Sequence, residues 1–155
     1  MILTPTAGDY IRLEVAKTGL MRGKKHVFLF PAYWGEAQRK PEQYHITLDA
    51  RRVECKDDWL KPADLKKVLE FTLKEMLDAE RHPEIRYDST TALLKLRGKS
   101  APVGVAYRES SPGVFEGGAV IDMRAFGLKP PSAALGAIGT DPMMRLSFRI
   151  TPREA

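Results

Sequence analysis

The stretch Met144-Arg145-Leu146-Ser147-Phe148-Arg149-Ile150 decides the fold class, because its apolar side chains fall on every second residue. Period two is the repeat of a β-strand, so Met144, Leu146, Phe148 and Ile150 are expected to face a core while Arg145, Ser147 and Arg149 face water. The same alternation sets Ile11, Leu13 and Val15 against Tyr10, Arg12 and Glu14, and Tyr44, Ile46 and Leu48 against His45, Thr47 and Asp49. Across residues 26–34 the apolar side chains are nearly continuous (Val27, Phe28, Leu29, Phe30, Tyr33, Trp34), which predicts one strand covered on both faces, a ligand or a partner being one such cover. Further strands are predicted at residues 85–88, 93–96, 103–108 and 114–123, separated by turns such as Arg97-Gly98-Lys99 and Ser110-Ser111-Pro112-Gly113. This spacing is that of an antiparallel meander or barrel.

One segment breaks the period. Over residues 62–79, Leu65, Val68, Leu69, Leu73 and Met76 recur at three and four, with Lys66, Lys67, Glu70, Lys74 and Asp78 on the far side, which predicts a single amphipathic helix. Pro62 and Asp64 suit its first turn, and Arg81, His82 and Pro83 suit its end. A lone helix among strands is expected to plug or flank a barrel.

With 155 residues, 43% of them hydrophobic, the chain is expected to form one domain, residues 1–155, with a core of its own. No run approaches the roughly 20 apolar residues of a membrane helix. Lys plus Arg number 25 against 20 Asp plus Glu, a net charge of +5 that permits an anionic partner without requiring nucleic acid. Residues 1–10 lack the basic and apolar regions of a secretory signal, so the default expectation is a cytoplasmic protein, or a periplasmic or secreted one if a signal has been removed. Cys55 is the one cysteine, which excludes an intramolecular disulfide.

The candidate chemistry is thin. Gly98-Lys99-Ser100 lacks the glycine five residues before the lysine that a phosphate-binding loop needs, since that position is Leu93. Leu135-Gly136-Ala137-Ile138-Gly139 has no dinucleotide spacing and reads as a loop. His26, His45 and His82 are dispersed and read as a basic turn, an exposed strand face and a helix end. Asp57 and Asp58 read as local partners of Lys56 and Lys61 or as caps of the coming helix, and Cys55 as a small buried or half-buried side chain. No nucleophile and base pair is found, no cofactor or metal is implied, and the arginine-bearing faces lack the interleaved aromatics that stack bases. What stands out is an apolar surplus in a strand-rich chain.

Four segments in order resemble the YceI-like family. Lys56-Asp57-Asp58-Trp59-Leu60 is similar to its Arg-Asp-x-x-Leu, and Arg81-His82-Pro83-Glu84-Ile85-Arg86-Tyr87-Asp88-Ser89 to its Tyr-Pro-x-Ile-x-Phe-x-Ser strand. Leu94-Lys95-Leu96-Arg97-Gly98-Lys99-Ser100-Ala101-Pro102-Val103 resembles Leu-Thr-Leu-x-Gly-x-Thr-x-Pro-Val, and Ile121-Asp122-Met123-Arg124-Ala125-Phe126-Gly127 resembles Ile-Asp-Arg-x-x-Phe-Gly. The resemblance implies a mainly β fold, an antiparallel lipocalin-like β-barrel with one amphipathic α-helix. It also implies a non-catalytic, often bacterial and exported, transport or carrier role, enclosing a polyisoprenoid or fatty-acyl lipid and often acting as a homodimer. On this reading the ligand contacts are Phe28, Phe30, Trp59, Leu69, Tyr87, Ile121, Phe126 and Phe148, subject to strand register. Lys56 and Arg124 are head-group candidates, with solvated surface charge as the simpler state. A basic surface suits transient contact with a membrane. Two alternatives stay open: a structural or protein-interaction barrel with a filled core, and a weakly basic nucleic-acid-binding module. Three departures from the family pattern bear on the ligand: Lys56 replaces an arginine, the connection from Ser89 to Leu94 is short, and the helix is long enough for Leu69, Leu73 or Met76 to cap the barrel.

Overall fold

A computed structural model of the chain describes residues 1–154. Its strands, in chain order, are β1 (Ile2–Leu3), β2 (Tyr10–Gly19), β3 (Lys25–Leu29), β4 (Tyr33–Arg39), β5 (Glu42–Asp49), β6 (Glu54–Cys55), β7 (Glu84–Asp88), β8 (Leu93–Leu96), β9 (Lys99–Pro102), β10 (Ala106–Ser111), β11 (Val114–Asp122), β12 (Ile138–Thr140) and β13 (Met143–Ile150). One α-helix, α1 (Pro62–Phe71), lies between β6 and β7. The protein is therefore mainly β and antiparallel with one helix. One sheet runs β1-β4-β5-β7-β8-β9 and the other β10-β11-β13-β2-β3-β6, with β12 added alongside β2. In the second sheet β13 is central: Leu146 lies opposite Ala119 of β11 on one side and Leu13 of β2 on the other.

The two sheets do not close into one continuous ladder; they are stitched at two seams. At the first, β1 pairs with β4, and Ile2 and Arg153 exchange backbone hydrogen bonds of 2.6 and 2.8 Å, carrying one sheet's edge to the segment that follows β13. At the second, side chains substitute for backbone. Arg39 donates two hydrogen bonds of 3.2 Å to the Glu109 carboxylate, the Tyr107 hydroxyl donates to Glu42, and the Tyr44 and Tyr107 rings meet edge-on at 5.7 Å. The reason lies in β10, whose register shifts between Glu109 and Ser111 and which carries exposed polar side chains, both devices that end a backbone ladder.

Four elements differ from the sequence-based expectation. The single strand expected over residues 26–34 is two strands in different sheets, because Pro31, between β3 and β4, has no N–H for a ladder. Trp34 is consequently 47% exposed rather than covered on both faces. The strand expected over residues 103–108 begins later, at Ala106, and Val103, Gly104 and Val105 carry the chain from one sheet to the other. The regular helix ends at Phe71 and continues as a wide turn over Thr72–Met76, in which the Leu77 N–H donates to the Thr72 carbonyl. The Thr72 hydroxyl bonds the Val68 carbonyl at 2.8 Å, taking up an acceptor of the last helical turn. The loop expected around Leu135-Gly136-Ala137-Ile138-Gly139 holds one short turn and then β12.

The segment before α1 is held by Asp57, which neither pairs with its lysine neighbours nor caps the helix. Its side chain is fully buried; Oδ1 accepts the Val27 N–H and Oδ2 meets His26 Nδ1, both at 2.6 Å. Trp59 stacks on His26 at 5.7 Å and donates its indole N–H to the Lys25 carbonyl at 2.9 Å. His26 is thus a tethered residue of β3 and not part of a basic turn. Cys55, opposite Phe28, is buried, and burial pushes its thiol up to about 11.

Two outcomes follow. Asp57→Ala strands the Val27 N–H and the His26 ring, so thermal melting should show a loss of about 2 kcal/mol, or roughly 4–8 °C; the exposed neighbour change Asp58→Ala should leave Tm unmoved. Because a raised thiol pKa means little thiolate at neutral pH, native Cys55 should react with a thiol reagent far more slowly at pH 8 than the urea-unfolded chain.

Candidate functional site

Two chambers lie end to end between the sheets. The first has a volume of about 430 Å³ and the second about 320 Å³. They meet at a shared collar, since Leu48, Ile85, Leu94, Ile121 and Leu146 line both. The strand registers explain the collar: Leu48 lies opposite Ile85, and Tyr87 opposite Leu94, so the inward positions of neighbouring strands fall at the same heights. Along β13 the inward residues pass from Met144 in the second chamber through Leu146 at the collar to Phe148 and Ile150 in the first. These four positions alone span about 20 Å of strand.

Aromatic side chains dominate one side of the first chamber. Tyr44 and Tyr87 lie 5.8 Å apart, Tyr107 and Phe115 lie 6.1 Å apart, and the Tyr87 hydroxyl donates to the Val103 carbonyl at 2.8 Å. Burial raises the pKa of both Tyr44 and Tyr87, so these hydroxyls stay neutral across the physiological range. The open end of this chamber carries Arg39, Arg108, Glu42 and Glu109, two cations and two carboxylates. The hydrogen bonds from Arg39 hold the Glu109 carboxyl below the usual range.

The second chamber is capped by α1 and the turn after it, through Val68, Phe71, Thr72 and Met76. Its charged and polar lining consists of Lys17, His26, Lys67, Thr72 and Thr140. Lys17 occupies the inward position that follows Ile11, Leu13 and Val15 on β2, and its ammonium donates to the Thr140 hydroxyl at 3.3 Å.

Of the residues expected to contact a ligand, Phe28, Phe30 and Ile121 line the second chamber, and Tyr87, Phe148 and Ile121 the first. Trp59, Leu69 and Phe126 do not line either. Trp59 is committed to the outer latch on His26. The helix presents Val68, Phe71 and Thr72 to the chamber, and Leu69 and Leu73 pack half-buried on its flank; of the three expected caps only Met76 takes part. Phe126, 1% exposed, sits in a short helical turn and is among the most buried side chains of the core. Lys56 pairs with Glu54 at 3.4 Å and Arg124 with Asp122 at 2.9 Å, both at the surface and away from the chambers. Sequence reading missed Lys17, Lys67 and the collar residues Leu48, Ile85, Leu94 and Leu146 as site residues. Extending the β2 alternation by two positions would have found Lys17; no local signal marks the collar, which depends on cross-strand register.

No protein-family model matches the sequence, and no curated protein matches it at a significant level. Solved structures do. BcnA of Burkholderia cenocepacia superposes with a TM-score of 0.63 at 13% identity, over 95% of this chain and 98% of that one. A polyisoprenoid binding domain from Saccharophagus degradans, implicated in plant cell wall breakdown, superposes with a TM-score of 0.63 at 8% identity, over 96% of this chain and 95% of that one. At these identities the likeness is one of fold, and it is the fold that the order of the four sequence motifs implied: the chain has the architecture of the YceI-like barrels.

Proposed function

We propose that the protein is a non-catalytic carrier that encloses a long apolar ligand, a polyisoprenoid or a fatty-acyl chain, in the tunnel formed by the two chambers. The observation that carries this reading is the collar: five apolar residues belong to both chambers, so only apolar side chains stand between the two spaces, and a ligand that displaces them would run from one to the other. Enclosure needs no catalytic group. Each buried CH2 contributes about 0.8 kcal/mol, and aromatic and aliphatic walls supply the remaining selectivity through shape. The binding-domain description of the Saccharophagus degradans neighbour supports the ligand class. Loading from a membrane fits the exposed Leu20 and Leu135, which sit on neighbouring loops joined by the Leu20 N–H to the Ala137 carbonyl, beside the end of β2 that carries Lys17. A filled-core interaction barrel is the weaker reading, because the chambers offer space that such a core would occupy with side chains.

Native mass spectrometry of protein purified without detergent should show a bound mass that organic solvent extracts as lipid, and it reports at the same time whether a homodimer forms. Protein that carries no lipid and takes up none from a lipid extract would overturn the carrier reading. The collar itself is testable through chain length. Ile121→Trp places an indole at the waist, so the preference of the wild type for hexadecanol over octanol, as much as about 6 kcal/mol if all the added carbons are enclosed, should collapse in the variant while octanol binding persists. Equal chain-length dependence in both proteins, with matched melting temperatures, would mean that no chain crosses the collar.

A further inference from the structure

The two mouths of the tunnel differ in charge. At the first chamber the side-chain charges sum to zero: Arg39 and Glu109 neutralise each other directly, Glu42 accepts from the Tyr107 hydroxyl, and Arg108 belongs to no ion pair among the described residues, while the Met1 ammonium donates to the Ala37 carbonyl. The second chamber has Lys17 and Lys67 in its lining and no carboxylate, and neither lysine belongs to an ion pair among the described residues. The His26 ring, also in the lining, is engaged at Nδ1 by Asp57.

Lys17 is the sharper observation. It stands at an inward position on β2, above Val15 and Leu13, and its ammonium has one protein acceptor, Thr140 Oγ1. Thr140 in turn donates its hydroxyl proton to the Pro131 carbonyl at 2.7 Å, which leaves its oxygen free to accept from Lys17. An ammonium has three N–H groups, so two remain to be satisfied at the edge of an apolar chamber. Burial lowers the Lys17 pKa with no carboxylate opposing the shift, as expected of a partly desolvated cation without a counter-charge. Such a group is stabilised by an anion that arrives with the ligand.

We propose that the ligand is an anionic amphiphile whose carboxylate or phosphate head sits at the mouth of the second chamber between Lys17 and Lys67, its tail running through the collar into the first chamber. This rests on the carrier reading and adds the ligand's head-group class and its direction in the tunnel. The head is held by charge-assisted hydrogen bonds from Lys17, with Lys67 reaching over from α1. Phe71, on the same helix face, covers the first carbons of the tail. The rim of the first chamber presents Arg108 only beside the Glu42 and Glu109 carboxylates, which repel an anionic head, whereas the lining of the second chamber has no carboxylate.

The test compares matched probes on the intact protein: hexadecanoic acid against hexadecanol, and geranylgeranyl phosphate against geranylgeraniol. Each acid or phosphate should bind at least about tenfold more tightly than its alcohol, the factor expected of a charge-assisted hydrogen bond. The two pairs tell a carboxylate site from a phosphate site. In Lys17→Met and in Lys67→Gln the preference should shrink toward unity while alcohol binding and Tm hold, and Lys17→Arg should retain it. Alcohols binding as tightly as the anions, or variants that weaken both equally, would overturn the head-group assignment and leave the carrier reading standing. Failure of all four probes to bind would overturn both.

Discussion

Both chambers depend on the register of β13. It is paired along its length with β11 and over five residues with β2, and in both ladders its inward side is Met144, Leu146, Phe148 and Ile150. Strand side chains alternate with period two, so a slip of one residue would turn Arg145, Ser147 and Arg149 into the chambers and the apolar set outward. Burying arginines in an apolar chamber is costly enough that the pairing is fixed on both sides at once. That fixed register places Leu146 opposite Leu13, Ile121 opposite Met144, and so creates the collar where the two chambers join.

The same logic explains what could be read from the sequence. Period-two alternation in β2, β5 and β13 is a local property, and the inward residues on these strands are those that alternation names. The helix was legible from its spacing for the same reason. Non-local facts were not. Pro31 marks a break in the strand, but not that the chain crosses to the other sheet there, and nothing in Val103-Gly104-Val105 marks a crossing. Trp59 and Phe126 stand out in the sequence as large and apolar, a property shared by residues that line a cavity and residues that fill a core; only the packing separates the two. Leu69 was placed by period alone, which fixes the apolar stripe of a helix but not which edge of the stripe meets the neighbouring sheet.

Asp57 shows how one buried polar residue converts local strand structure into a site. Its two carboxylate oxygens hold β3 to the segment that leads into α1, with Trp59 clamped over His26 on the outside. The helix has no side-chain cap at its first residue, and no helix residue is fully buried. Its position over the second chamber therefore comes from its two ends and its apolar face rather than from burial within a core. That is a suitable construction for a cover: the latch that locates its leading end lies outside the chamber, while its apolar face, through Val68 and Phe71, forms the chamber's wall.

The volume between the sheets has its own physical origin. Phe115 and Ile121 line the chambers on β11, and the inward positions between them are Gly117 and Ala119. Gly117 cannot be enlarged, because a Cβ there would lie 2.1 Å from the Ala106 carbonyl oxygen, where β10 crosses closely. The strand that seals the seam thus forbids a side chain on the wall behind it. Unfilled apolar volume costs about 24 cal/mol per Å³ in a packed core, so a sealed, dry space the size of the first chamber would forfeit on the order of 10 kcal/mol, as much as a whole domain's stability. Open mouths relieve part of that cost by admitting water, and an apolar chain relieves more, since any ligand bound only by the folded state adds RT ln(1 + [L]/Kd) to its stability. Close packing of β10 on β11 keeps that wall free of side chains, and the cavity it leaves ties the stability of the fold to what it encloses.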